Sequence, residues 1–371
     1  MNMMSTPSIL TAASQQWASR PDDQRFLNLD DMLAFAGGQR ASSKAVVLSN
    51  RQIEIAPVAD DASRKSLVVV GPDGVAAVPT HWSFGQIAAR ADAPAGYLRK
   101  LPADIAADAL NWGLYKRDVE EVGALVRGNG IPELAAFTGP NYGRVWNEDV
   151  IRALRERFGN GVDGDFTVPG EFGNMVDVTK ANTTLYASDR DMFVFLADEK
   201  NRIDVPNRRN GRSGSMARGF FVWNSEVGSQ TLGIATFLFD YACSNRIVWG
   251  AQGYEEIKIR HTAGAPDRWI EEAAPAIKAY ADKSTDGIVQ AIADAKNARL
   301  DPDKVDDFLK ARFTKSQANA IKLVHLAEED RPIESLWDVA TGATAYARSI
   351  KYQDERVEIE RKAGKVIALA Q

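Results

Sequence analysis

A single cysteine, Cys243, stands in a chain of 371 residues. One thiol cannot close an intrachain disulfide, so packing has to hold the fold. Histidine is almost as scarce. His81, His261 and His325 lie far apart and show none of the short His/Cys spacings of zinc sites. No transition metal and no cofactor is therefore expected, while Mg²⁺ held by carboxylates stays open. Long apolar runs are missing too: none reaches the roughly 18 to 20 residues that a membrane helix needs. The N-terminal MNMMSTPSILTAASQQW lacks a basic stretch leading into an apolar one, so the expectation is a cytoplasmic protein with no membrane contact. Also absent are the P-loop, the dinucleotide-type glycine turn, the GxSxG elbow and the HExxH helix, and no catalytic residue is assigned.

What is present describes a folded chain. Apolar residues make up 45% and charged ones 26%, a composition that excludes disorder. The length exceeds what one core usually fills, which points to more than one domain. Residues 1–20 read as a loosely held tail, 21–165 as an N-terminal α+β domain, 166–282 as a central antiparallel sheet, and 283–371 as a helical region. The fold class expected is α+β: a curved antiparallel sheet with helices packed on one face and a helical C-terminal region.

Local signals support that outline. Asp30 or Asp31 is a candidate cap for a helix stopped by Gly37–Gly38, and Gly71-Pro-Asp-Gly is a turn between strands. Ser83 is a candidate cap for a helix carrying Ile87, Ala88 and Ala91. With Leu98 and Leu101 these residues sit at spacings like those of a helix-turn-helix, although Asp92 occupies the position where glycine is favoured. The alternative is an ordinary pair of packed helices. The segment 159–174 is rich in glycine and acids but lacks the pattern of an EF-hand loop. Thr231–Tyr241 fits either a buried strand or a helix, and Tyr254–His261 alternates like a strand with one polar face. After four amphipathic helices, the C-terminal stretch from Ser335 reads as one helix with a charged second half.

Rare residues collect between Arg218 and Thr262. The chain enters that stretch through its most basic run, where Lys200, Arg202, Arg208, Arg209, Arg212 and Arg218 face a single internal acid, Asp204. Guanidiniums on a glycine-rich loop suit the grip of a phosphate backbone. Arg246, Lys258 and Arg260 would extend that surface, with Trp223, Trp249 and Tyr254 as stacking platforms or core. The net charge of −5 excludes a surface coated for duplex DNA, so such a patch has to be local. Asn224, Glu226 and His261 form a candidate polar site. Glu226 beside Arg246 reads as a buried ion pair or as a ligand-binding carboxylate, and Cys243 as an inert buried thiol.

At WNSEVG, then CSNRIVWG, then KIRHT, the sequence resembles the family catalogued as domain of unknown function 932. Further matching segments are WSFGQIAARADAPAGYLRKLP, NYGRVWN and LWDVATGATAYAR, and together they cover roughly residues 23–361. The resemblance implies a phage or plasmid context, among replication, recombination and anti-defence genes, and it assigns no catalytic residue. The expected function is non-catalytic binding of single-stranded DNA or its annealing, in a layout similar to that of phage annealing proteins at the level of fold alone. Two alternatives stand beside it: a protein that binds a host defence factor, and a Mg²⁺-dependent nuclease using Glu226. A homo-oligomer is left open.

Overall fold

The computed structural model describes residues 21–59, 61, 63, 66–128, 130, 132–169, 177–206, 214–240, 245–247, 256–350 and 353–370. The expected tail, Arg208, Arg209, Arg212, Cys243, Trp249 and Tyr254 lie outside those residues.

Alternating apolar residues between turn signals make the first half a sheet overlaid by helices. In chain order it comprises β1 (Arg25–Phe26), α1 (Leu29–Ala41), β2 (Ser43–Ser49), β3 (Glu54–Pro57), β4 (Leu67–Val70) and β5 (Ala76–Pro79). Then follow α2 (His81–Arg90), α3 (Ala95–Leu98), α4 (Ala103–Lys116), β6 (Glu121–Arg127), β7 (Glu133–Thr138) and α5 (Asn147–Phe158). A six-stranded sheet has the order β2-β6-β7-β5-β4-β3. Its pairings are antiparallel except for β5 beside β7. The 71–74 turn joins β4 to β5, with Gly74 at φ +74°. Ile87 and Ala88 of α2 and Leu110 and Leu114 of α4 share a core with Val122, Ala124 and Phe137 of the sheet.

Helix starts differ from the expected ones for one reason: a cap accepts the N–H three residues ahead. Asn28, not Asp30 or Asp31, caps α1 by accepting from Asp31 N at 2.8 Å, and the helix continues through Gly37–Gly38. Thr80, not Ser83, caps α2, and Ser83 N is the donor at 3.1 Å. The helix-turn-helix spacing does not yield a recognition helix, because α3 has only four residues and buries Leu98. Asp92 nonetheless takes the left-handed φ of +56° that glycine favours there.

The second half opens with a larger sheet. Its strands are β8 (Phe166–Thr167), β9 (Leu185–Ala187), β10 (Met192–Asp198), β11 (Ile203–Val205), β12 (Gly214–Asn224), β13 (Leu232–Asp240), β14 (Asn245–Ile247) and β15 (Glu256–Ile259). They join β1 in an antiparallel sheet along the path β1-β9-β10-β12-β13-β14, with β8, β11 and β15 pairing β10, β12 and β13. Within the ambiguous run, Leu232–Asp240 is strand β13. On β15 the alternation holds, since Ile259 is fully buried and Lys258 exposed. At the Trp223–Gly233 pair, a Cβ on Gly233 would lie 1.9 Å from the indole, so only glycine fits.

Helices cover one face of this sheet. Leu29 of α1 and Val150, Ile151 and Leu154 of α5 share a core with Val194, Leu196, Phe220 and Val222. Packing therefore crosses the domain boundary expected near residue 165: β1, α1 and α5 belong to the larger sheet. On the other face, Phe195 stacks on Phe237 with centroids 4.2 Å apart, beside the buried rings of Phe221 and Trp223.

The C-terminal region is helical: α6 (Ala265–Arg268), a π turn (Trp269–Ala273), α7 (Ala274–Asp282), α8 (Asp286–Asn297), α9 (Val305–Lys310), α10 (Lys315–Glu329), α11 (Leu336–Arg348) and α12 (Gln353–Ala368). The stretch expected as one helix from Ser335 is two, α11 and α12. The charged sequence of α12 still buries an apolar stripe of Ile359, Ala363, Val366 and Ile367. This bundle packs on Ile203, Val205, Met216 and Leu238 at one end of the sheet. Among the described residues no helix is long and apolar enough to cross a membrane.

Candidate functional site

The two sheets meet where β12 ends. There Leu125, Ala135 and Ala136 of the smaller sheet pack against Val227, with Trp82 and Trp146 alongside. Polar groups crowd this junction. The turn 225–229 is clamped from several elements: Trp82 Nε1 and Gln86 Nε2 donate to Val227 O at 3.0 and 2.8 Å, and Tyr142 Oη donates to Ser225 O at 2.8 Å. Ser225 Oγ donates to Arg190 O at 2.8 Å and accepts from Ser229 N at 3.0 Å.

Glu226 is fully enclosed at the centre. One carboxylate oxygen accepts from Asn147 N at 2.7 Å, at the N-terminus of α5, and the other pairs with Arg127. Arg127 also donates to Asp189 O at 2.6 Å and to Ser43 Oγ at 3.1 Å. The buried ion pair expected at Glu226 exists, but its partner is Arg127 of β6 and not Arg246. Burial pushes the Glu226 carboxyl above the ordinary carboxylate range, against the opposing pull of Arg127, the Asn147 N–H, Arg144 and Arg40. Asn224 joins the same network, donating to Val145 O and to Asn147 Oδ1, each at 2.8 Å.

The loop before α5 supplies what is distinctive. In NYGRVW, the Arg144 guanidinium lies 5.2 Å from the Tyr142 ring centroid and 5.7 Å from that of Trp146. Arg40 lies over the same indole at 5.2 Å, and Arg190 lies 5.8 Å from the Trp82 ring. Arg40 is paired with Glu148 and Asp149, Arg127 with Glu226, and Arg190 with Asp191. Arg144 has no ion pair among the described residues, and its Nη1 is buried without a hydrogen-bond partner. Burial pulls its pKa below the ordinary arginine value, and the like charge of Arg127 adds to that, against Tyr142 and Glu226. His261 stacks on Tyr142 at 4.8 Å, and its Nδ1 donates to Gly143 O at 3.0 Å. Gly143 is needed at this contact because a Cβ there would meet Thr262 O at 1.8 Å.

The remaining expected residues lie elsewhere. Arg218 is interior: its Nε donates to Asp198 Oδ2 at 3.0 Å, and its terminal nitrogens donate to the carbonyls of Tyr280, Ala281 and Lys283 at the end of α7. With every arm engaged inside the protein, it cannot serve the phosphate grip expected of it. Arg202 is exposed and paired with Glu199 at 2.8 Å. Lys258 and Arg260 are exposed on and just after β15, and the Arg246 backbone pairs with Phe239. Asn224, Glu226 and His261 do come together. Arg40, Arg127, Tyr142, Arg144 and Trp146, which complete the site, are missing from the expectation, although NYGRVWN interleaves two rings with an arginine. Among the described residues no group of three His, Cys, Asp or Glu side chains could hold a metal ion.

A family model described as domain of unknown function (DUF932) matches residues 173–364, just over half of the chain. No curated protein matches the chain. Nor does any solved structure.

Proposed function

We propose that this chain, which belongs to the domain of unknown function 932 family, binds single-stranded nucleic acid at the junction of its two sheets and acts without catalysis. The observation that carries the reading is Arg144. A guanidinium held between two aromatic rings, with a buried donor and no ion-pair partner among the described residues, is short of an anion. A phosphate oxygen supplies one, at a guanidinium that the rings of Tyr142 and Trp146 hold in place. Arg40 and Arg190 stand at the same place with their charge already matched by Glu148, Asp149 and Asp191, so the phosphate contact rests on Arg144. A phosphate contact is indifferent to base identity, which suits a strand-binding or annealing role in a phage or plasmid context in the cytoplasm.

The test is fluorescence anisotropy of a labelled oligothymidylate as salt is raised. The expected result is binding at low salt that weakens linearly on a logarithmic plot, with Arg144→Gln lowering the slope by about 0.7, the share of one phosphate on a single strand. No binding at low salt, or binding indifferent to salt, overturns the reading. A chain that binds no oligonucleotide yet retains a nuclease-resistant protein partner would replace it with the protein-binding alternative.

A further inference from the structure

A second site, independent of the junction, lies in the smaller sheet. Helices α2 and α4 cover part of its apolar face, and beyond their reach that face is open. Five of the six strands, and the turn entering the sixth at Ile53, wall a cavity of about 440 Å³. Its walls include Val46, Val69, Ala77, Val126, Leu134 and Phe137, and no residue of α2 or α4 is among them. The edge strand β2 and Ile53, which enters the opposite edge strand β3, line one space, so the sheet curls around it. Concave, mostly apolar spaces of this kind are where small-molecule ligands bind.

The rim has its own chemistry. Val47 and Val75 are 54% and 47% exposed, an arrangement that leaves apolar surface in water unless something covers it. Lys44 stands at the same rim, and its nearest acid is Asp73, with Nζ to Oδ2 at 4.0 Å and both side chains mostly in solvent. A pair so long and so exposed holds Lys44 weakly. The ammonium is available to another carboxylate.

We infer that this cavity binds a small amphiphile, an unbranched apolar chain with a carboxylate head that meets Lys44. The volume lies within the roughly 300 to 1,000 Å³ of small-molecule sites, and the walls are almost wholly aliphatic and aromatic. A peptide strand is the poorer fit, because the space is bounded by side chains inside the curl and not by an open strand edge.

Isothermal titration calorimetry of the full chain with decanoate, and with uncharged decanol, tests this. Both ligands bind the wild type. Lys44→Glu weakens decanoate about fivefold, the worth of one exposed ion pair, and leaves decanol unchanged. Val126→Phe, checked for folding by circular dichroism, fills the cavity and abolishes both. Failure of decanoate to bind the wild type overturns the proposal. So does an equal response of the two ligands to Lys44→Glu, or undiminished binding by folded Val126→Phe. Should Val126→Phe not fold, the charge-reversal arm decides, since Lys44 is a surface residue.

Discussion

Arg127 on the smaller sheet and Glu226 at the end of β12 form a buried ion pair across 99 residues of sequence, and it ties the two sheets together. Both charges are cut off from water, so removing one strands the other. Arg127→Met should therefore cost about 3–5 kcal/mol. The double variant Arg127→Met/Glu226→Leu should cost less than the sum of the two single ones, because no unpaired charge remains. Urea denaturation of the four proteins in this cycle gives the coupling. Additive costs would mean that the two groups do not act on one another.

Arg218 presents the same physics with a different consequence. Its guanidinium joins Asp198 to the carbonyls that end α7, and so it fastens the sheet to the first C-terminal helices. Arg218→Met should destabilise the protein by about 3–5 kcal/mol and leave the salt slope of oligonucleotide binding unchanged. Arg144→Gln should do the reverse, lowering the slope with little loss of stability. Anisotropy and denaturation on both variants check the contrast, and a reduced slope in Arg218→Met would contradict the interior role.

These two arginines show how far the sequence could be read. Composition and alternation sufficed for the α+β class, the antiparallel character of the larger sheet and the helical C-terminal region, because those signals are local. Glu226 is recognisable as a candidate buried acid because it stands just past the end of the apolar run 219–223. Its partner is not, because nothing near Arg127 in sequence tells that β6 ends against the 225–229 turn. Arg218 looked like part of a mobile basic loop for the converse reason: its position in β12 follows from pairing with β10 and β13, which composition does not show. Tyr142, Arg144 and Trp146 read as a turn before a helix, and only the meeting of the two sheets makes them a site.

His261 couples the junction to pH. Burial lowers its pKa from the ordinary 6.5 and the charge of Arg144 lowers it further, against the hydrogen bond to Gly143 O. The folded protein thus holds a neutral ring, while the unfolded chain takes up a proton first as pH falls. Stability is complete above the unfolded value of 6.5 and declines below it until the folded value is reached. Unfolding free energies measured between about pH 5 and pH 7 should show this slope. His261→Asn should flatten it, since the amide keeps a donor for Gly143 O and does not titrate. An unchanged slope in that variant would assign the titration to another group.

Asp338 predicts a separate acid transition in the helical region. Burial by itself would raise its carboxyl. The Arg331 hydrogen bond, the Glu334 N–H and the Arg331 charge outweigh that and hold the pKa below the ordinary 3.8. The pair is bidentate, at 2.9 and 2.5 Å, and a third bond comes from Glu334 N at 3.0 Å. Because the folded value is depressed, the stability it contributes is present above 3.8 and lost as pH falls through the folded value. Arg331 is 28% exposed, so its loss in Arg331→Leu should cost about 2–3 kcal/mol, less than a fully buried pair. The variant should also lose part of the acid dependence that the wild type shows below about pH 4. Acid titration followed by far-ultraviolet circular dichroism, which reports on all the helices, measures both effects, and identical acid midpoints in the two proteins would refute the assignment.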